Sequence, residues 1–116
     1  EAMIRSAWEL KVLREAIDEY GKDSPVVLAG DFNLPPGYPD LRRACGELAD
    51  CFGRRGFGWG MTAPARLPSM RPDQIYVPPA SRVYYAAAVP TRWSDHYIAL
   101  AEVAVPMNAL EETHER

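Results

Sequence analysis

The stretch Pro25-Val26-Val27-Leu28-Ala29-Gly30-Asp31-Phe32-Asn33 decides how the chain is read. Its short, unbroken apolar run reads as a buried strand. The run ends in a glycine, a carboxylate and an amide, just ahead of a loop forced by Pro35-Pro36-Gly37. Polar groups at the end of a hydrophobic strand have rigid support below and an open crevice above. Catalytic groups in α/β folds favour that location.

Upstream, residues 6–20 have the pattern of an amphipathic helix. Leu10, Leu13, Ile17 and Tyr20 recur at 3–4–3 spacing, and Trp8 and Val12 widen the stripe. Ser6 and Glu9 have the spacing of a capping box, and Gly21 suits a C-terminal stop. Met3 and Ile4 carry the apolar pattern further back, so the helix is expected to start earlier. A helix running at once into an apolar strand predicts half of a βαβ-type unit.

Downstream, residues 38–47 predict a short helix with Pro39 in its first turn and Leu41, Ala44 and Leu48 facing inward. Residues 49–52 read as a short extended piece. Residues 53–60 hold four glycines and read as a flexible loop leading to a strand near 59–62. Further strands are expected at 74–77, closed by Pro78-Pro79, at 82–89, and at 98–105, ending at Pro106. The fold class is therefore α/β (α+β), with residues 1–106 as one partial domain and 107–116 as a charged, disordered tail.

Composition bounds the function. A chain of 116 residues supplies one small domain, and 47% apolar content is enough for a core, which excludes global disorder. A net charge of −3 is no basic footprint, so a nucleic-acid coating protein is excluded, while an enzyme that meets a phosphate locally is not. Cys45 and Cys51 have no metal-ligand spacing and read as reduced, partly buried thiols. No apolar run is long enough to span a membrane. The chain opens at Glu1, without an initiator Met, inside a helical pattern, which reads as a fragment or a processed piece.

Three short motifs stand at strand ends: Gly30-Asp31-Phe32-Asn33, Arg71-Pro72-Asp73-Gln74-Ile75 and Ser94-Asp95-His96. Each alone has a plain reading as a turn or cap. Together they bring acid, amide and imidazole groups to strand termini, a set that suits phosphoester hydrolysis. A phosphoryl centre is anionic, so catalysis must orient water, neutralise charge and hold the phosphate in line. Asp31 can orient or deprotonate water. Asn33 can donate to a phosphate oxygen without titrating. His96 can stabilise the phosphate if Asp73 or Asp95 keeps it protonated, and a spare carboxylate can hold Mg²⁺.

At these residues the sequence resembles the endonuclease/exonuclease/phosphatase superfamily, whose three motifs occur in this order. The segment Gly58-Trp59-Gly60-Met61-Thr62, followed by Pro64-Ala65-Arg66, is similar to a bacterial branch of that group, some members of which carry membrane segments upstream, so the resemblance leaves the location open between the cytoplasm and the soluble domain of a membrane-anchored parent. The resemblance implies a four-layered α/β sandwich: two mostly antiparallel sheets face to face, with helices outside. It implies that Asp31 activates water and that Asn33 and His96 contact the phosphate. It further implies that Asp73 pairs with His96, and that Asp95, with Asp31 and Asn33, lies at a Mg²⁺ or Mn²⁺ ion. The implied substrate is a phosphoester, either a nucleic acid or a phospholipid or phosphoinositide head group.

Two features depart from the family pattern. The resemblance covers only the C-terminal half of such a domain, so the metal-binding Glu and a second His are expected from an N-terminal half. The fragment alone is then expected to be inactive, and the alternative is a catalytically degenerate binding module of the same fold. Pro72 also stands where an aliphatic residue is usual and removes a backbone donor just before the strand. Substrate contacts are expected from the loop 53–71, with Arg54, Arg55, Phe57, Trp59, Arg66 and Arg71 as candidates.

Overall fold

The computed structural model describes residues 2–32, 34, 37–56 and 73–107. Asn33, the strand expected near 59–62, Phe57, Trp59, Arg66, Arg71, Pro72 and the tail 108–116 lie outside the described residues. Helix α1 spans Ala2–Tyr20. Its 3–4 periodicity buries Ile17, leaves Leu10 and Leu13 half-buried, and packs the helix against α2 (Pro39–Cys45). The helix already runs through Ser6, so the Ser6–Glu9 pair lies inside it rather than capping it, and the start is upstream as Met3 and Ile4 suggested. Trp8, Val12 and Tyr20 remain exposed, so the buried stripe is narrower than the sequence pattern. The Gly21 amide closes the helix by donating to the Ile17 carbonyl at 2.8 Å.

Strand β1 is Leu28–Asp31 and pairs antiparallel with β3 (Asp73–Val77), setting Leu28 opposite Tyr76, Gly30 opposite Gln74 and Asp31 opposite Asp73. On the side toward β3, β1 thus stands in an antiparallel ladder. The buried strand is corrected: among the described residues β1 lies at the edge of a three-stranded sheet in the order β1-β3-β2, with Ala29, Gly30 and Asp31 exposed. An apolar run shows burial potential but not whether its strand lies at the centre or the edge of a sheet.

Helix α2 opens with Pro39, whose missing N–H costs nothing in a first turn, and buries Leu41, Ala44 and Cys45. It ends at Gly46, whose φ of +62° and ψ of −122° favour glycine. The Arg14 guanidinium donates to the Ala44 carbonyl at 3.1 Å and occupies the space a Cβ at Gly46 would need. Strand β2 is Ala49–Asp50, antiparallel to β3. The chain then turns into a short helix α3, Cys51–Arg55, where an extended piece and a glycine loop were expected. The cause is Asp50, whose carboxylate accepts from the Phe52 amide at 3.2 Å and caps the helix.

Strands β4 (Arg82–Val89) and β5 (Ile98–Ala104) form an antiparallel pair, with an irregularity between Val83 and Tyr85. Two apolar clusters define the layers. Leu41, Cys45 and Tyr76, with Leu10, Leu28, Phe32, Leu34 and Leu48, join the helices to one face of the first sheet. Cys51, Val77, Val83 and Ala86, with Ile75, Ala101 and Val103, join its other face to the second sheet. Both cysteines are free and buried, and burial pushes the Cys45 thiol up to about 11. The result is an α/β fold with antiparallel sheets face to face and α1 and α2 outside. Among the described residues, no helix is long and apolar enough to cross a membrane.

Candidate active site

Side chains alternate between the two faces of a strand, so the parity of β3 sorts its residues. Asp73, Ile75 and Val77 share the face toward the second sheet, while Gln74 and Tyr76 share the face toward the helices. Asp31 is the register partner of Asp73, so the two carboxylates are cross-strand neighbours where β1 ends and β3 begins.

His96 reaches this place from the connection between β4 and β5. Two hydroxyls shape that connection: Thr91 Oγ1 accepts from the Trp93 amide at 3.2 Å, and Ser94 Oγ accepts from the His96 amide at 3.0 Å. The His96 Nδ1 lies 2.6 Å from Asp73 Oδ2. One ligand atom each from Asp31, Asp73 and His96 lie within 4.8 Å of one another. The two paired side chains are only 27% and 20% exposed, so solvent screens them less than a surface pair.

The hydrogen bond to Asp73 raises the pKa of His96 above its ordinary value. Partial desolvation opposes the rise, and the charges of Asp73, Asp31 and Asp95 add to it. The imidazole is therefore held toward its protonated, donating form. Asp31, Asp73, Asp95 and His96 line an open crevice of about 490 Å³, together with Ser94 and Tyr97. A larger hollow of about 620 Å³, lined by Arg42, Arg43, Asp50 and Tyr76 among others, contains none of these four groups. Chemistry, not volume, picks out the site.

Of the residues singled out in the sequence, the structure brings together Asp31, Asp73 and His96 and places Asp95 in the same crevice. Between Asp73 and Asp95 as the acid beside His96, the hydrogen bond is made by Asp73. Asn33, Trp59, Arg66 and Arg71 lie outside the described residues. Arg54, expected on a substrate loop, instead donates to the Ser81 and Pro79 carbonyls at 2.9 and 2.8 Å and ties α3 to the turn before β4. Sequence reasoning passed over Gln74 as an ordinary strand residue. The available signal was its polarity at the inward parity shared with Tyr76.

The donor set suits a hard divalent cation. Asp31 and Asp95 offer carboxylate oxygens in the crevice, the ligand type that Mg²⁺ and Mn²⁺ prefer. Asp31, Asp73 and His96 also form a group that can hold a metal ion.

A model of the Endonuclease/Exonuclease/phosphatase family matches residues 2–96, a span that holds all three motifs. No curated protein sequence matches the chain. Among solved structures, the chain is similar to the mannosyl-6-phosphatase Bt3783 of Bacteroides thetaiotaomicron VPI-5482. The TM-score is 0.69 at 21% identity, covering 85% of this chain and 45% of that one. The fold is shared, and the chain spans less than half of that phosphatase's length. With the family model covering most of its residues, the chain belongs to the endonuclease/exonuclease/phosphatase family.

Proposed function

We propose that this domain hydrolyses a phosphoester with the help of a divalent metal, and that the chain supplies the C-terminal half of the active site. The observation that carries the proposal is the convergence of Asp31, Asp73 and His96 within 4.8 Å at the meeting of the two sheets. His96, kept protonated by Asp73, donates to a phosphate oxygen and stabilises the charge that builds on it. Asp31 orients the attacking water and accepts its proton. Asn33, two residues on, donates to the phosphate without changing charge. Asp31 and Asp95, with the Asn33 side chain, hold Mg²⁺ or Mn²⁺. When bound, the ion polarises the phosphoryl oxygens and offsets their negative charge.

The structurally similar protein is a mannosyl-6-phosphatase by name, so sugar monophosphates belong in a substrate panel beside nucleic acids, phosphoinositides and sphingomyelin. The test is phosphate or product release from that panel by the complete domain and by this chain alone, with and without Mg²⁺. Turnover by the complete domain on at least one member, absent in chelator and absent in the chain alone, is expected. A complete domain that binds a phosphoester but never turns it over would overturn the proposal in favour of a degenerate binding module.

A further inference from the structure

Gln74 lies directly after Asp73 in β3 and is 1% exposed. Gln74 is among the crevice's lining residues, and its side chain, on the face of β3 shared with Tyr76, is engaged at both ends. The Nε2 group donates to the Leu34 carbonyl at 2.7 Å. The Oε1 atom accepts a hydrogen bond from the Tyr76 hydroxyl. The amide orientation is fixed by chemistry, because a carbonyl accepts and only the NH₂ end can donate to it. The Tyr76 ring, in turn, meets Phe32 edge-to-face, with centroids 5.8 Å apart. Phe32 and Leu34 are therefore each tied to β3 from the helix side, and they are the two residues that flank position 33 in the chain.

A lone polar side chain in an apolar layer is costly unless satisfied, and this one is satisfied by the backbone that leaves β1. An aliphatic residue would fill the same layer without that link. We infer that Gln74 is a positioning residue: its amide locks the segment following Asp31 to the strand that carries Asp73. The two motifs are thereby held in one geometry from behind the crevice. The functional part of this inference rests on the phosphoesterase reading above; the structural part does not. A small displacement of a positioned group costs about 100-fold in rate, which sets the scale of the expected effect.

The test compares Gln74→Met with wild type by amide hydrogen exchange and, in the complete domain, by steady-state kinetics. Exchange at 32–34 is expected to quicken about tenfold or more, while amides of β4 and β5 hold their rates. Turnover number is expected to fall about 10- to 100-fold with KM nearly unchanged. Asn33→Ala combined with Gln74→Met should be little worse than Asn33→Ala alone, because both act through one position. A merely stabilising role would lower the melting temperature without producing that non-additivity. Should Gln74→Met fail to fold, Tyr76→Phe removes the donor to Oε1 and is expected to quicken exchange at 32–34 by a smaller factor. Unchanged exchange at 32–34 in a folded variant overturns the inference. If exchange changes as expected and the complete domain hydrolyses nothing, the positioning role stands and the phosphoesterase reading falls.

Discussion

The proton on His96 is held by its neighbours: Asp73 accepts a hydrogen bond at 2.6 Å, and Asp31 and Asp95 add their fields. The folded state therefore raises the imidazole pKa above the ordinary 6.5. By linkage, the stabilising contribution of the pair is complete below the unfolded pKa and is lost as pH rises through the folded one. An NMR titration of the imidazole should place its midpoint above 6.5 in the native protein. Asp73→Asn should lower that midpoint, since it removes the carboxylate while Asp31 and Asp95 remain. The same variant should cost roughly 1 kcal/mol of stability under mildly acidic conditions and less in alkali, read from denaturant midpoints. An unchanged midpoint in Asp73→Asn would show that the hydrogen bond does not govern the imidazole. The identities of Asp31, Asp73, Asp95 and His96 were legible in the sequence as polar groups at strand ends. Which acid bonds the imidazole was legible only through the family resemblance, which implied Asp73. The residues alone left Asp73 and Asp95 open, because that pairing is tertiary and both acids stand ahead of strands. Gln74 was illegible for a related reason: its partner carbonyl lies on a distant loop.

At the scale of elements, legibility followed local signal strength. The strands Arg82–Val89 and Ile98–Ala104 were readable almost to the residue, since β-rich runs bounded by proline leave few alternatives. Helix α3 was not, because five residues carry no period, and its nucleation depends on a single cap by Asp50. The antiparallel partner of β1 was equally hidden, since sheet pairing is decided by chain segments far apart in sequence. Two junctions carry measurable stability. Asp50→Ala should cost about 1 kcal/mol through the lost cap of α3. Gly46→Ala should cost roughly 1–3 kcal/mol, because its φ of +62° is unfavourable for a side chain and the new Cβ displaces the Arg14 guanidinium from the Ala44 carbonyl. Urea unfolding of the two variants checks both; a Gly46→Ala protein as stable as wild type would show that the α1–α2 junction adapts freely.

Across the whole molecule, the first sheet is covered on one face by helices and on the other by the β4–β5 pair, whose own outer face is uncovered among the described residues. There Ile98 and Leu100 are 50% and 48% exposed, and Tyr85 stands on the same face. An apolar surface of this kind should bind a hydrophobic dye, and Ile98→Lys with Leu100→Lys should reduce that signal without loss of fold. A dye signal unaffected by the double variant would place the sticky surface elsewhere. The same layering puts the crevice at the rim where both sheets end, so Asp31 and Asp73 come from one sheet and Asp95 and His96 from the connection in the other. The central claim is that this juxtaposition performs phosphoester hydrolysis. Its most direct test is metal-dependent turnover by the complete domain, compared with Asp31→Asn and His96→Ala of confirmed fold. Both variants are predicted to lose at least about 100-fold in turnover. Wild-type turnover retained in both would contradict the account.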